Sequence, residues 1–268
     1  MFRIAFSAAL SAGVAAHAAE FVSSVADYQP GTGVGAFVNS SAAVGSPAPL
    51  TGQSIGFPNI LSPFSPAFGS DEIVGIGLNG LLQLDFAVPV SNVAGPDFGV
   101  ITNLGLADIS FPNGVNSNPA STFSAPRQAE VAVSGDGTQF ISLGLVTFDA
   151  PANYFANASN PFLSSTPSPA VLADFGKPFA GSLSTFDGLD WQQTLAALDG
   201  SGGGTWLDFS ATGLPSIKSV RFSIGATAPV GTDGKLFVDA VVANNAAVPE
   251  PAAAGMLVGA IGVLLRRR

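Results

Sequence analysis

Carboxylates are the residues with chemistry to offer in this chain. It has no cysteine, and its one histidine is His17. If the N-terminal segment is removed on export, neither Ser-His-Asp nor Cys-His catalysis can be assembled, nor zinc sites of the usual kinds. Hard oxygen ligands remain, and these suit calcium. Asp187 and Asp190 stand three apart at the head of a short helical pattern over residues 189–198, and Asp239 lies in an apolar run. The three are the candidate calcium ligands. The competing reading makes Asp187 the helix cap, puts Asp190 in the first turn where the macrodipole favours an acid, and pairs Asp239 with Arg221 or Lys218. Asp97, Asp136 and Asp233 sit beside Gly or Pro and read as turn acids. Trp191 and Trp206 flank the Gly-rich stretch 199–204, where they either stack on a sugar ring or pack a core. A glycosidase needs two acids about 5–9.5 Å apart, and no motif selects such a pair, so no catalytic residue is assigned and the chain is read as a non-enzyme.

Both ends carry targeting features. Met1-Phe2-Arg3 is a basic start, residues 4–16 are apolar, and Ala16-His17-Ala18 fits a signal-peptidase site, which places the mature start near Ala19. At the other end, Pro249-Glu250-Pro251 precedes an uncharged run, residues 252–265, and Arg266-Arg267-Arg268. As a helix that run spans roughly 21 Å, short against a hydrocarbon core of about 30 Å, and the arginines favour a cytoplasmic end. The tail resembles the PEP-CTERM sorting signal. The resemblance implies a transient anchor processed by an exosortase, with signal peptidase and the export machinery acting at the other end.

Four of the nine basic residues, Arg3 and the terminal three, belong to these segments, leaving five against 18 acids. That balance excludes nucleic acid as a partner. The absence of cysteine means no disulfide staples, although an exported protein would be free to use them.

Between the signals the punctuation is that of an all-β domain. Residues 21–30 read as a first strand, and 31–69 as a long ordered loop pinned by Phe37, Phe57, Phe64 and Phe68. Residues 72–78 and 81–88 read as a hairpin around Asn79-Gly80, the strongest local hairpin signal. Further strands are expected at 98–104, 130–134, 139–148, 216–226 and 236–243, with 130–134 and 139–148 joined as a hairpin by Gly135-Asp136-Gly137. The expected fold is an all-β sandwich or jelly roll (residues 19–247) with long Gly/Pro-rich loops and one short helix. A signal-peptide helix (1–18) and a C-terminal hydrophobic helix (248–268) flank it.

The order Gly77-Leu78-Asn79-Gly80, Leu84-Asp85-Phe86, Gly95-Pro96-Asp97-Phe98, Val131 to Gly137, Phe186-Asp187 with Asp190, and Asp239-Ala240-Val241 resembles a group of PEP-CTERM cell-surface proteins with one β-sandwich domain. The chain departs from that pattern at Ile101-Thr102 and Phe237, where relatives tend to carry acids. The resemblance implies a cell-surface or extracellular-matrix location and a structural or binding role. The alternative expectations are a carbohydrate-binding adhesin for extracellular polysaccharide, stabilised by calcium, and a carboxylate-only glycoside hydrolase or lyase.

Overall fold

The structure, a computed structural model, describes residues 19–123 and 125–247. The sorting residues Pro249, Glu250, Pro251 and Arg266–Arg268, the cleavage residues Ala16 and Ala18, and both expected flanking helices lie outside the described residues. Among those described, no helix is long and apolar enough to cross a membrane.

The described residues form eleven strands and one α-helix: β1 (Val22–Gln29), β2 (Leu50–Thr51), β3 (Asn59–Ile60), β4 (Val74–Ile76), β5 (Leu81–Ser91), β6 (Phe98–Thr102), β7 (Arg127–Ser134), β8 (Ile141–Phe148), α1 (Trp191–Leu198), β9 (Thr205–Leu207), β10 (Ser216–Ser223) and β11 (Leu236–Ala243). Every strand pair is antiparallel. One sheet runs β1-β5-β10-β7-β8, a second β4-β11-β6-β9, and β2 pairs with β3 alone.

Alternation along β5 sends Leu82, Leu84 and Phe86 inward and leaves Gln83 and Asp85 half-buried on the other face. These three join Val131 and Val133 of β7 and Phe222 of β10 in one apolar cluster. Val74, Phe98, Val238 and Val241 of the four-stranded sheet enter the same cluster, so the two sheets share a core. Phe237, Ala240 and Val242 belong to a different cluster with Leu61, Ile73, Ile101 and Phe175. The four-stranded sheet is therefore covered on both sides, which explains why β11 is buried along its whole length and reads as a nearly unbroken apolar run. A third cluster builds α1 onto the loops through Phe64, Phe155, Phe186, Trp191 and Leu198.

The hairpin expected at Asn79-Gly80 does not form. Asn79 does adopt the positive φ, 58°, that the motif favours, and Gly80 N–H closes the turn on Gly77 O at 2.8 Å. But β4 pairs with β11, whereas β5 pairs with β1 and β10. The turn is a corner that carries the chain from one sheet to the other, and Asn79 N–H bonds Gly225 O instead of a partner strand. Gly135-Asp136-Gly137 does join a paired β7 and β8. Of the four phenylalanines expected to pin the long loop, Phe64 is buried and Phe37 packs edge-on against Phe237, but Phe57 is 72% exposed and anchors nothing.

The two ends of the body meet. Glu20 O accepts Ala243 N–H at 2.8 Å, and Phe21 forms a bridge with Val242.

Candidate functional site

The three acids expected to share a cation are held for different duties. Asp190 is the N-cap of α1: its carboxylate accepts Gln193 N–H at 2.9 Å while the Gln193 amide oxygen accepts Asp190 N–H at 3.0 Å, a reciprocal capping box. The cap thus falls one turn later than expected for Asp187, which follows the 3-10 turn Leu183–Phe186 and accepts Ala120 N–H at 2.7 Å, tying the 116–121 loop to the start of the helix. Asp239 lies within β11. Among the described residues no group of three or more His, Cys, Asp or Glu is arranged to hold a metal ion, so this trio is not assembled as one site. Melting curves in calcium and in chelator are accordingly expected to superimpose, and an upward shift of several degrees with calcium would restore the cation reading.

The remaining acids are also turned onto the chain. Asp136 accepts Thr138 and Gln139 N–H, both at 2.8 Å, and these amides, with the Ser134 and Thr138 hydroxyls, hold it well below the usual carboxylate range. Asp97 is fully buried, which is more than turn chemistry requires. Its two oxygens accept Val93 N–H at 2.8 Å and Phe209 N–H at 3.0 Å, joining the β5–β6 connection to the chain after β9. Burial raises its carboxyl, with those two amides opposing the shift. Asp233 pairs with Arg127 and lies 3.7 Å from Lys235 Nζ.

Both tryptophans are packing residues. Trp191 is 4% exposed, donates from Nε1 to Ala158 O at 2.8 Å and meets Phe64 edge-on. Trp206 is half-buried against Gly99, with Nε1 bonded to Gly203 O at 3.0 Å. Trp191 is thereby a core residue with no ring open for stacking, whereas Trp206 has its N–H engaged but keeps part of its surface exposed.

Asp239 has a different neighbourhood from the one expected. Arg221 lies over the Phe140 ring at 4.0 Å, and Lys218 approaches Asp85 at 4.0 Å, so neither proposed cation pairs with it. The register between β11 and β6 slips between Val238 and Ala240, placing Asp239 at a bulge, the device that re-aims a side chain. Asp239 is 2% exposed, its Oδ2 has no hydrogen-bond partner, and it lines a pocket of about 400 Å³ with Asp71, Glu72, Ser41, Ser46 and Gln53. Among the described residues, no basic one lines this pocket. Burial, and then the charge of Glu72, push the Asp239 carboxyl well above the ordinary range.

Glu72 is the organiser that sequence reasoning passed over as the first residue of a strand. Its Oε1 accepts Gly52 N–H at 2.7 Å, and its Oε2 accepts the Thr51 hydroxyl, Gly69 N–H at 2.9 Å and Phe68 N–H at 3.1 Å. One carboxylate thereby gathers both ends of the 51–69 loop. The available signal was the acid pair Asp71-Glu72 between a Gly- and Ser-containing loop and the apolar Ile73-Val74, where loop amides need an acceptor.

A second pocket, about 350 Å³, is lined by Phe64, Pro66, Phe68, Asn103 and Phe123 among others. In comparisons with known proteins, no family model matches the chain and no curated protein is similar to it.

Proposed function

We propose that the body is a β-sandwich surface domain with a structural or binding role. It is exported under residues 1–18, anchored transiently through residues 248–268, and then held at the cell surface or in the extracellular matrix. The observation that carries the binding or structural role is the inward use of the acids. Glu72, Asp97, Asp136, Asp187 and Asp190 all accept backbone N–H groups of their own chain, as a scaffold for long loops requires. The partners on this reading are signal peptidase, an exosortase-type enzyme and extracellular polysaccharide.

A carboxylate-only hydrolase is the second reading, favoured by one observation: Glu72 and Asp239 line the same pocket, and Asp239 is raised as a general acid would be. Access argues against it, since both Glu72 oxygens are already occupied and Asp239 is almost sealed from solvent.

Mass spectrometry of the protein recovered from the source cell tests the first reading. The expected product starts near Ala19 and ends near Pro249-Glu250-Pro251, and the double variant Pro249→Ala/Glu250→Ala should keep its terminal arginines and stay with the membrane. A wild-type chain recovered intact in the cytoplasm would overturn the proposal.

A further inference from the structure

The cleft between Phe68 and Phe123 has the parts of a ligand site that no other function described above uses. Both rings are open to solvent, Phe68 at 37% and Phe123 at 64%. Both are also held in place by close approach to a glycine. A Cβ at Gly105 would lie 2.6 Å from Pro66 Cγ and 2.9 Å from Phe123 Cδ2, and one at Gly52 would lie 2.4 Å from Phe68 Cζ. Phe123 is fixed further by its N–H bond to Gly105 O at 3.0 Å. The cleft therefore exists before any ligand arrives, which lowers the ordering cost of binding.

Within this apolar cleft sits Asn103, whose Oδ1 is buried without a hydrogen-bond partner. A buried acceptor left unpaired costs free energy, and because Oδ1 itself is sealed from solvent, a rotation of the Asn103 carboxamide into the cleft is what lets a ligand donor recover it. Among the described residues no charged side chain lines the cleft, which suits an uncharged ligand. A polyanion would in addition meet a body in which acids far outnumber bases. Apolar faces for two rings, hydroxyl donors for a carboxamide and no net charge describe a pyranose ring.

We infer that the Phe68–Phe123 cleft, with Asn103 in its lining, binds a sugar unit of a neutral polysaccharide. This deepens the surface-binding reading and rests on it.

The test is native affinity electrophoresis of the full chain in detergent, in gels cast with dextran, cellulose-derived β-glucan, galactomannan or xylan, and with alginate as the polyanion. Retardation by at least one neutral polymer and none by alginate is expected. Phe123→Ala and Asn103→Ala should each weaken retention at least tenfold, while Phe57→Ala, an exposed ring outside the cleft, should leave it unchanged. Phe123 is mostly exposed, so its variant is expected to keep the wild-type melting temperature within a few degrees. No retardation by any neutral polymer, or equal retention by Phe123→Ala, overturns the inference. So does retention by alginate alone, or by an immobilised disordered peptide (casein) in place of a sugar. The mass-spectrometric result on export separates the two failures: correct processing without sugar binding sinks only the cleft, whereas a cytoplasmic chain sinks the reading beneath it.

Discussion

Replacing Glu72 with alanine is expected to lower the melting temperature by about 10 °C, the largest loss anticipated for any single acid here. Four donors converge on this carboxylate, three of them backbone amides of Gly52, Phe68 and Gly69 and one the Thr51 hydroxyl. Hydrogen bonds to a charged group contribute about 1.5–3 kcal/mol each, and their sum is reduced because the freed loop recovers some of them from water. A net loss of roughly 3–5 kcal/mol is reasonable for a buried network broken from one side, and about 2–4 °C is lost per kcal/mol in a domain of this size. Thr51→Val, which removes one donor and no acceptor, should cost about 1 kcal/mol. Glu72→Gln should lie nearer to alanine than to wild type, because its NH₂ group faces N–H donors. Differential scanning calorimetry of the three variants would settle the ranking, and a Glu72→Ala protein melting within 3 °C of wild type would remove the clamp from the account.

Asp239→Asn should move stability the other way. An acid held above its unfolded value, about 3.9, contributes stability that is fully present below that value and is lost as pH rises through the folded one. The raised position of Asp239, caused by burial and then by Glu72, sets this sign. As pH rises, the wild type must either ionise a nearly sealed carboxyl with an unpartnered Oδ2 beside a second acid or hold its proton at growing cost, and the amide avoids both. A gain of about 1–3 kcal/mol is expected at pH 8, or roughly 5 °C, falling to near zero at pH 4. Asp97 and Asp149 are raised by burial with the same sign, so only the difference between wild type and variant across pH isolates Asp239. The gain should shrink in a Glu72→Ala background, since one of the two causes is then gone. A variant less stable than wild type at pH 8 would mean that the carboxylate is doing something the amide cannot. A glycoside-hydrolysing activity that disappeared with it would revive the catalytic reading.

Eight of the eleven described strands were legible because local alternation and turn residues are written locally; β2, β3 and β9, of two or three residues, are too short to show alternation. Leu82, Leu84 and Phe86 announce their face, and the Leu236–Ala243 run announces a strand covered on both sides. What the sequence did not carry was pairing across long separations. Asn79-Gly80 makes its turn, but whether the next strand folds back or crosses to another sheet depends on which of β11 and β10 waits there, more than a hundred residues on. The acids were harder still. Asp190 sits at the helix start, but a helical pattern that begins at Leu189 points to Asp187 as the cap, whereas α1 begins at Trp191. Asp239 was visible as an oddity in an apolar strand, but its neighbours were set by a bulge, which leaves no mark on composition. Glu72 and Asn103 were not visible as site residues because what distinguishes them is the set of donors or the lack of a partner brought by distant loops.

The clasp between Glu20 and Ala243, with Phe21 against Val242, makes the body nearly a closed ring of polypeptide. A few glycines would suffice to join residue 19 to residue 247, and new ends could be opened at the 228–234 turn, where Val230 is 98% exposed. Such a circular permutant keeps every strand pairing while moving residues 1–18 and 248–268 to the other side of the cut. On the proposed surface reading, the orientation of the domain thereby becomes a quantity that can be engineered independently of its fold.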